Sequence, residues 1–250
     1  MNVLRTIAAL REALGTRDSV GLVPTMGALH AGHVSLLRAA RAENELVVMS
    51  LFVNPAQFGD AGDLNGYPRD EQRDLEVAVA EGVDVVFAPT ADEMYPPGFQ
   101  TWVEVTELGA ILEGRFRPGH FRGVATVCLK LFNIMRPDRV YFGQKDAQQV
   151  EVIRRLLADL ALDVELRVLP TVRDPDGLAL SSRNVYLSAE ERARALALPQ
   201  ALQAHDRSVL NGLEVDYFEE ADFEPRVLAA AVRVGNTRLI DNVVLEGEPK

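Results

Sequence analysis

The chain has 250 residues, 48% of them hydrophobic and 25% charged, with a formal net charge of −11. That leaves room for a sizeable core in one or two domains, and the acidic balance argues against nucleic acid as a main partner, because affinity for phosphate backbones rests on clustered Lys and Arg. A single cysteine, Cys128, excludes an intramolecular disulfide framework and fits a reducing, cytoplasmic setting; Met1 to Leu14 reads as an amphipathic helix without a signal-peptide core, and no apolar run approaches membrane-spanning length.

The first organised stretch is an apolar run, Val20 to Val23, followed by Pro24-Thr25-Met26-Gly27-Ala28-Leu29-His30-Ala31-Gly32-His33 and then by Val34, Leu36, Leu37 and Ala40 at helical spacing. That order predicts strand, turn and helix start. Two histidines three apart at a helix start share a face, beside free backbone amides and the positive end of the helix dipole, where phosphates bind. Gly27 and Gly32 let a ligand approach the backbone, and each imidazole can donate to a phosphoryl oxygen. A solvated helix face and half of a zinc site are the competing readings. Only His120, His205 and Cys128 remain as His or Cys partners, and all are distant in sequence.

Leu46 to Val53 is a continuous apolar run, as expected of a strand covered on both faces of a parallel sheet. Pro55 ends it, so Asn54 and Gln57 project from its carboxyl end, unless Asn-Pro is a plain turn and Gln57 a surface residue. Arg69 to Gly82 reads as a surface helix and Val83 to Ala88 as the next strand; Pro89 to Gln100 is a loop long enough to be a lid or an edge, and Trp102 to Thr106 is a candidate strand. Arg115 to Gly123 interleaves arginine with aromatics in a loop before a helix over Val124 to Met135, suited to anion recognition, a subunit contact or plain solvation.

Arg139 to Phe142 is a further strand, and Gly143-Gln144-Lys145-Asp146 repeats the strand-to-helix turn ahead of a helix carrying Gln148 and Gln149. Of 26 basic residues only Lys130, Lys145 and Lys250 are lysines, which singles out Lys145 as a compact charge for a polyphosphate. Asp146 either caps the helix or accepts from a ribose hydroxyl. Asp163 to Leu169 closes the alternation. Beyond it lie the turn Asp174-Pro175-Asp176-Gly177, the donor group Ser181-Ser182-Arg183, a capping box at Ser188 and Glu191, and strands over Glu214 to Phe218, Arg226 to Val234 and Thr237 to Val244, the last two joined at Gly235-Asn236. The pattern predicts an α/β protein: a Rossmann-like parallel sheet with helices on both faces over residues 1–169, and a smaller α+β lid domain over 170–250.

Met26 to His33, Phe52-Val53-Asn54-Pro55 with Gln57-Phe58, Arg117 to Val124, Tyr141 to Asp146 with Gln148-Gln149, and Asp176 to Asn184 occur in an order that resembles the pantothenate synthetase family, with a further match at Thr237 to Asn242. The resemblance implies ATP-dependent joining of pantoate to β-alanine through a pantoyl-adenylate, releasing AMP and pyrophosphate, with Mg²⁺ bridging the phosphates, in a cytoplasmic homodimer. It implies an ATP site of Met26, Gly27, Ala28, Leu29, His30, Ala31, Gly32, His33, Gly143, Gln144, Lys145, Asp146, Val172, Leu180, Ser181, Ser182 and Arg183. Within it His33 is the catalytic proton donor, and His30 and Lys145 act on the phosphates. Gln57 and Gln149 match the pantoate ligands, with Gln57 also at the β-alanine site. The chain departs from the family pattern at Gln144 and Ala147, and its Ala193 to Gly212 region is shorter.

Overall fold

The computed structural model describes residues 1–15, 19–59 and 61–245, so Lys250 lies outside the described residues. Six parallel strands among these form the main sheet: β1 (Asn2–Leu4), β2 (Val20–Thr25), β3 (Leu46–Leu51), β4 (Val85–Phe87), β5 (Arg139–Gly143) and β6 (Glu165–Leu169). Their spatial order is β1-β4-β3-β2-β5-β6. The helices are α1 (Ile7–Leu14), α2 (Ala31–Glu43), α3 (Ala61–Gly66), α4 (Glu71–Ala80), α5 (Ala91–Met94), α6 (Glu113–Phe116), α7 (His120–Met135), α8 (Ala147–Asp159), α9 (Ala189–Ala195) and α10 (Ala197–Ala204).

Strand residues alternate between two cores. Leu22, Val48, Phe87, Val140 and Phe142 pack with Leu10 and Leu14 of α1, Leu131 of α7 and Ile153 of α8. Val23, Val47, Met49, Val86 and Tyr141 face the other way, onto Leu36, Leu37 and Ala40 of α2 and Ala78 of α4. Burial on both faces is why these strands are apolar at most positions. The chain builds outward from β2 to β3 and β4, then returns to pair β5 with the free side of β2. This makes β2/β5 the point where strand order reverses, and ligands of open α/β sheets bind at the carboxyl ends of such a pair.

Three local expectations are corrected. Met1 to Leu14 is not one helix: Asn2–Leu4 pairs in parallel with Val85–Phe87 as an edge strand, and only Ile7–Leu14 is helical, with Thr6 as its cap. Three residues are too few to show a strand period, so pairing alone decides. Trp102 to Thr106 forms no strand; Val103 bonds through its amide to the Thr126 hydroxyl of α7 instead of to a ladder partner. The Arg115 to Gly123 loop is largely helical, with α6 ending at Phe116 and α7 beginning at His120, four residues before Val124. The Pro89 to Gln100 segment carries α5 and an aromatic cluster in which Tyr95, Phe99 and Trp102 contact one another.

After β6 the chain forms a second, antiparallel sheet of β7 (Glu214–Ala221), β8 (Val227–Val234) and β9 (Thr237–Val244), with the β8–β9 turn at Gly235-Asn236 as expected. Leu228, Ala230, Val232 and Val234 of β8 pack on Leu198 and Leu202 of α10. Val227, Ala229 and Ala231 face Tyr217 together with Leu112 and Ala147 of the main body. Both faces of β8 are therefore covered, and its second face seats this sheet beside α6 and the start of α8.

Candidate active site

The turn after β2 is built before any ligand arrives. Gly27 and Ala28 both take positive φ, +85° and +52°. The Asp74 carboxylate of α4, 2% exposed, reaches beneath them and accepts from the Ala28 amide at 2.9 Å and the Leu29 amide at 2.8 Å. A Cβ on Gly27 would stand 2.7 Å from Asp74 Oδ2, so a larger residue is excluded by space as well as by φ.

His30 caps α2: its Nδ1 accepts from the Gly32 amide at 3.1 Å, while its own amide donates to His33 Nδ1 at 3.3 Å. The rings lie 4.2 Å apart. The amides expected to be free for phosphate are thus partly engaged, by Asp74 and by the histidines themselves. What the turn offers in their place is two Nε2–H donors, because each Nδ1 is an acceptor. Burial, with Lys145 nearby, lowers the His30 pKa to about 4; burial, with His30 beside it, lowers that of His33 to about 3. Both imidazoles are therefore neutral at pH 7.

At the end of β3, Asn54 organises the neighbouring turn. Its Nδ2 donates to Gln57 Oε1 at 3.0 Å and to the Gly123 carbonyl at 3.1 Å, and its Oδ1 accepts from Tyr95 Oη at 2.9 Å. Gln57 is buried, so the surface alternative falls; its Nε2 meets Met26 Sδ at 3.0 Å and its carbonyl bonds His120 Nδ1 at 2.8 Å. A carbonyl only accepts, so His120 is the Nδ1–H tautomer, opposite to the other two, and its Nε2 takes a bond from Arg117 Nη1 at 3.2 Å. Burial, with Arg117 beside it, lowers the His120 pKa to about 4.

After β5, Lys145 Nζ pairs with Asp146 Oδ1 at 3.4 Å. Asp146 occupies the cap position of α8 yet makes no side-chain cap bond, which corrects the simple capping reading. Burial would raise its pKa, but Lys145, then Arg183 and His120, outweigh it and hold the carboxyl below its ordinary value. Asn242 of β9 donates to the carbonyls of Gln144 and Lys145 at 2.9 Å each, so the second sheet helps hold this turn.

One cleft of about 230 Å³ joins these groups. Met26, His30, Gly32, His33, Gln57, Gly143, Lys145, Asp146 and Gln149 line it together with Val172, Leu180, Ser181, Ser182 and Arg183 from the segment after β6. A second recess, about 960 Å³, shares Lys145, Asp146, Ser181 and Arg183 and runs on past Arg117 to Arg238. Gly27, Ala28, Leu29, Ala31 and Gln144, expected at the ATP site, do not line the cleft. His120 and Cys128, remote in sequence, line it, but among the described residues no cluster of His, Cys, Asp and Glu could hold a metal, so the zinc reading falls. Sequence reasoning missed Asp74, which reads as part of a solvated helix face, and left His120 among several uses of an arginine-rich loop.

An α/β sheet that opens at its switch point onto neutral imidazole donors, a lysine and a Ser-Ser-Arg group is a Rossmann-like protein furnished for a phosphorylated ligand. Residues 2–244 match the family model described as pantoate-beta-alanine ligase. A pantothenate synthetase of Roseiflexus castenholzii is 53% identical over 98% of this chain and all of its own length. The crystal structure of pantothenate synthetase from Thermus thermophilus superposes with a TM-score of 0.93 at 44% identity, covering 98% of this chain and 99% of that one. The pantoate-beta-alanine ligase of Francisella tularensis, complexed with beta-gamma ATP and beta-alanine, gives 0.91 at 36% identity, covering 98% and 97%. The chain belongs to the pantoate–β-alanine ligase family.

Proposed function

We propose that this protein joins pantoate to β-alanine at the expense of ATP, releasing AMP and pyrophosphate. The observation that carries the reading is the shared cleft, in which phosphate donors and two glutamines, Gln57 and Gln149, line one space. A pantoate carboxylate oxygen attacks the α-phosphorus of ATP, the bond to the β-phosphate oxygen breaks, and pyrophosphate leaves with added negative charge. The β-alanine amine then attacks the acyl carbon and AMP departs. Neither step needs a covalent bond to the enzyme, so catalysis consists of positioning and charge stabilisation.

In this reading Gln57 and Gln149 hold the hydroxyl and carboxylate groups of pantoate, with Gln57 also near β-alanine. His30 and His33 donate Nε2–H to phosphoryl oxygens, and Lys145 and Arg183 take up charge on the departing pyrophosphate. Gly143 and Asp146 border the nucleotide with Met26 and Gly32, and Val172 with Leu180 to Ser182 covers it. His33, with its Nδ1 held by the His30 amide, serves the leaving group as a hydrogen-bond donor through Nε2–H, a bond that strengthens as negative charge builds on the pyrophosphate. Mg²⁺ fits as a passenger on the triphosphate: the cleft lining offers one carboxylate, Asp146, and phosphate oxygens and water would complete the shell. When bound it offsets repulsion among the phosphates.

The division of labour places residues 1–169 as the nucleotide- and pantoate-binding body and 170–250 as a lid. The same reading makes the enzyme a cytoplasmic homodimer, in keeping with a lone, buried Cys128 thiol. Exchange of labelled pyrophosphate into ATP tests the whole: it should require pantoate and not β-alanine. ATP binding without pantoate-dependent exchange would make the protein a nucleotide sensor instead.

A further inference from the structure

Asn54 lines the cleft, yet its amide has no bonding capacity left for a ligand. Its Nδ2 donates to Gln57 Oε1 and to the Gly123 carbonyl, and its Oδ1 accepts from the Ala56 amide at 3.3 Å and from Tyr95 Oη at 2.9 Å. A carbonyl can only accept and a backbone amide can only donate, so Gly123 and Ala56 fix which end of the Asn54 side chain is which. The orientation of Gln57 follows: the atom that meets Asn54 Nδ2 is Oε1, and Nε2 is turned towards Met26 Sδ, 3.0 Å away on the cleft wall. Sulfur is a weak acceptor, so a ligand oxygen displaces it at little cost.

Tyr95 heads this series from behind, since it is not among the residues that line the cleft. Its ring is held by Phe99 at 5.1 Å and Trp102 at 6.0 Å, with the Lys130 ammonium 5.7 Å from its centre. Burial raises the Tyr95 pKa above its ordinary value, so the hydroxyl keeps the proton that it donates. Asn54 and Gln57 are only 1% and 7% exposed, and water does not readily stand in for a bond that either one loses.

We propose that Tyr95 is a positioning residue for pantoate, acting through Asn54, and that the series Tyr95–Asn54–Gln57 makes Gln57 a hydrogen-bond donor to the substrate. All the bonds run one way, from O–H to Oδ1, from Nδ2–H to Oε1 and from Nε2–H to the ligand, so each polarises the next. Gln57 therefore meets pantoate at a carboxylate or hydroxyl oxygen, and Asn54 serves the substrate without touching it. The inference rests on the reading of Gln57 as a pantoate ligand.

The test is a double-mutant cycle on single-turnover adenylation, measured against pantoate concentration at saturating ATP. Tyr95→Phe should raise the half-saturating pantoate concentration about fivefold, the usual worth of one hydrogen bond, and leave the maximal rate and the ATP dependence near those of the wild type. Gln57→Ala should weaken pantoate further. In the Gln57→Ala background, Tyr95→Phe should add less than about twofold, because the group it positions is gone. The same loss in both backgrounds would overturn the series, since a merely structural role is additive. So would a Tyr95→Phe that keeps the wild-type pantoate dependence, or one that weakens ATP equally. Wild-type pantoate dependence in Gln57→Ala would instead overturn the assignment of Gln57 on which the series rests. The direction of the bonds has its own readout in protein labelled isotopically at its glutamine side chains. The Gln57 amide protons, identified by their absence in Gln57→Ala, should move downfield when pantoate saturates the enzyme. Protons that stay in place would mean that Gln57 meets pantoate through its oxygen, which overturns the donor assignment.

Discussion

The backbone amide of His30 donates to Nδ1 of His33, and this one bond sets the chemistry of the loop. With Nδ1 of His30 also engaged, by the Gly32 amide, both rings must carry hydrogen on Nε2. Long-range proton–nitrogen NMR at pH 7 should show His30 and His33 as Nε2–H tautomers and His120 as Nδ1–H. An imidazolium signal from any of the three in the ligand-free enzyme would contradict the arrangement.

These histidines also link stability to acidity. His30, His33 and His120 all sit below the ordinary value of 6.5, chiefly through burial, so the unfolded chain binds more protons from pH 6.5 down to about 4 for His30 and His120 and about 3 for His33. Their contribution is complete above pH 6.5 and is lost as pH falls through about 4 for His30 and His120 and about 3 for His33. For the well-buried His120 the shift is worth on the order of 3 kcal/mol at about 1.4 kcal/mol per pKa unit. Urea melts across this range should show a shallower acid dependence for His120→Asn than for the wild type. Parallel curves would remove His120 from the effect.

Asp74 supplies a third expectation. Asp74→Ala strands the amides of Ala28 and Leu29, at about 1–3 kcal/mol for each buried group, and frees a turn that holds a non-glycine residue at positive φ. The KM for ATP should rise, while that for β-alanine should change little, since Gln57 is held by Asn54 and His120. Asp74→Asn keeps an acceptor for one amide and should fall between. Steady-state kinetics on both variants, beside thermal melts, separates a local effect from general unfolding.

The contrast between the two histidines and Asp74 shows where a sequence is legible. His30 and His33 follow an apolar strand and open an amphipathic helix, so local order alone places them at the sheet rim, and the continuous apolar run from Leu46 and the strand from Arg139 place Gln57 and Lys145 on the same rim. Asp74 acts across 45 residues of chain, from a helix whose local pattern is that of a solvated face, and no local pattern encodes such a reach. The edge strand Asn2–Leu4 is hidden for the same reason: its partner is Val85–Phe87. The early start of α7 escaped because Pro118-Gly119 reads as a loop, whereas Gly119 at positive φ is the residue that lets the helix begin at His120.

Lys145 tests the electrostatic part of the mechanism. Its ammonium pairs only loosely with Asp146, at 3.4 Å, and is positioned to exchange that carboxylate for phosphate. Lys145→Ala should lower the single-turnover rate of adenylation by about 10²–10³, the usual effect of deleting one charge-stabilising donor, and leave pantoate affinity nearly unchanged. An adenylation rate equal to that of the wild type would take Lys145 out of the chemical step.

The last expectation concerns water. The alignment with the Roseiflexus protein spans 277 positions, more than the 250 residues of this chain, so that relative carries segments absent here. In this chain the stretch between the Ser188 cap and β7 consists of α9, α10 and a single turn over Arg207–Leu210, the region expected from the sequence to be short. Acyl-adenylates survive only where closure keeps water out, and a smaller cover excludes it less completely. With ATP and pantoate but no β-alanine, this enzyme should therefore release AMP several-fold faster than the Roseiflexus enzyme under the same conditions. Equal rates would mean that the ordered cleft wall formed by Val172 and Leu180 to Arg183 is sufficient by itself to protect the intermediate.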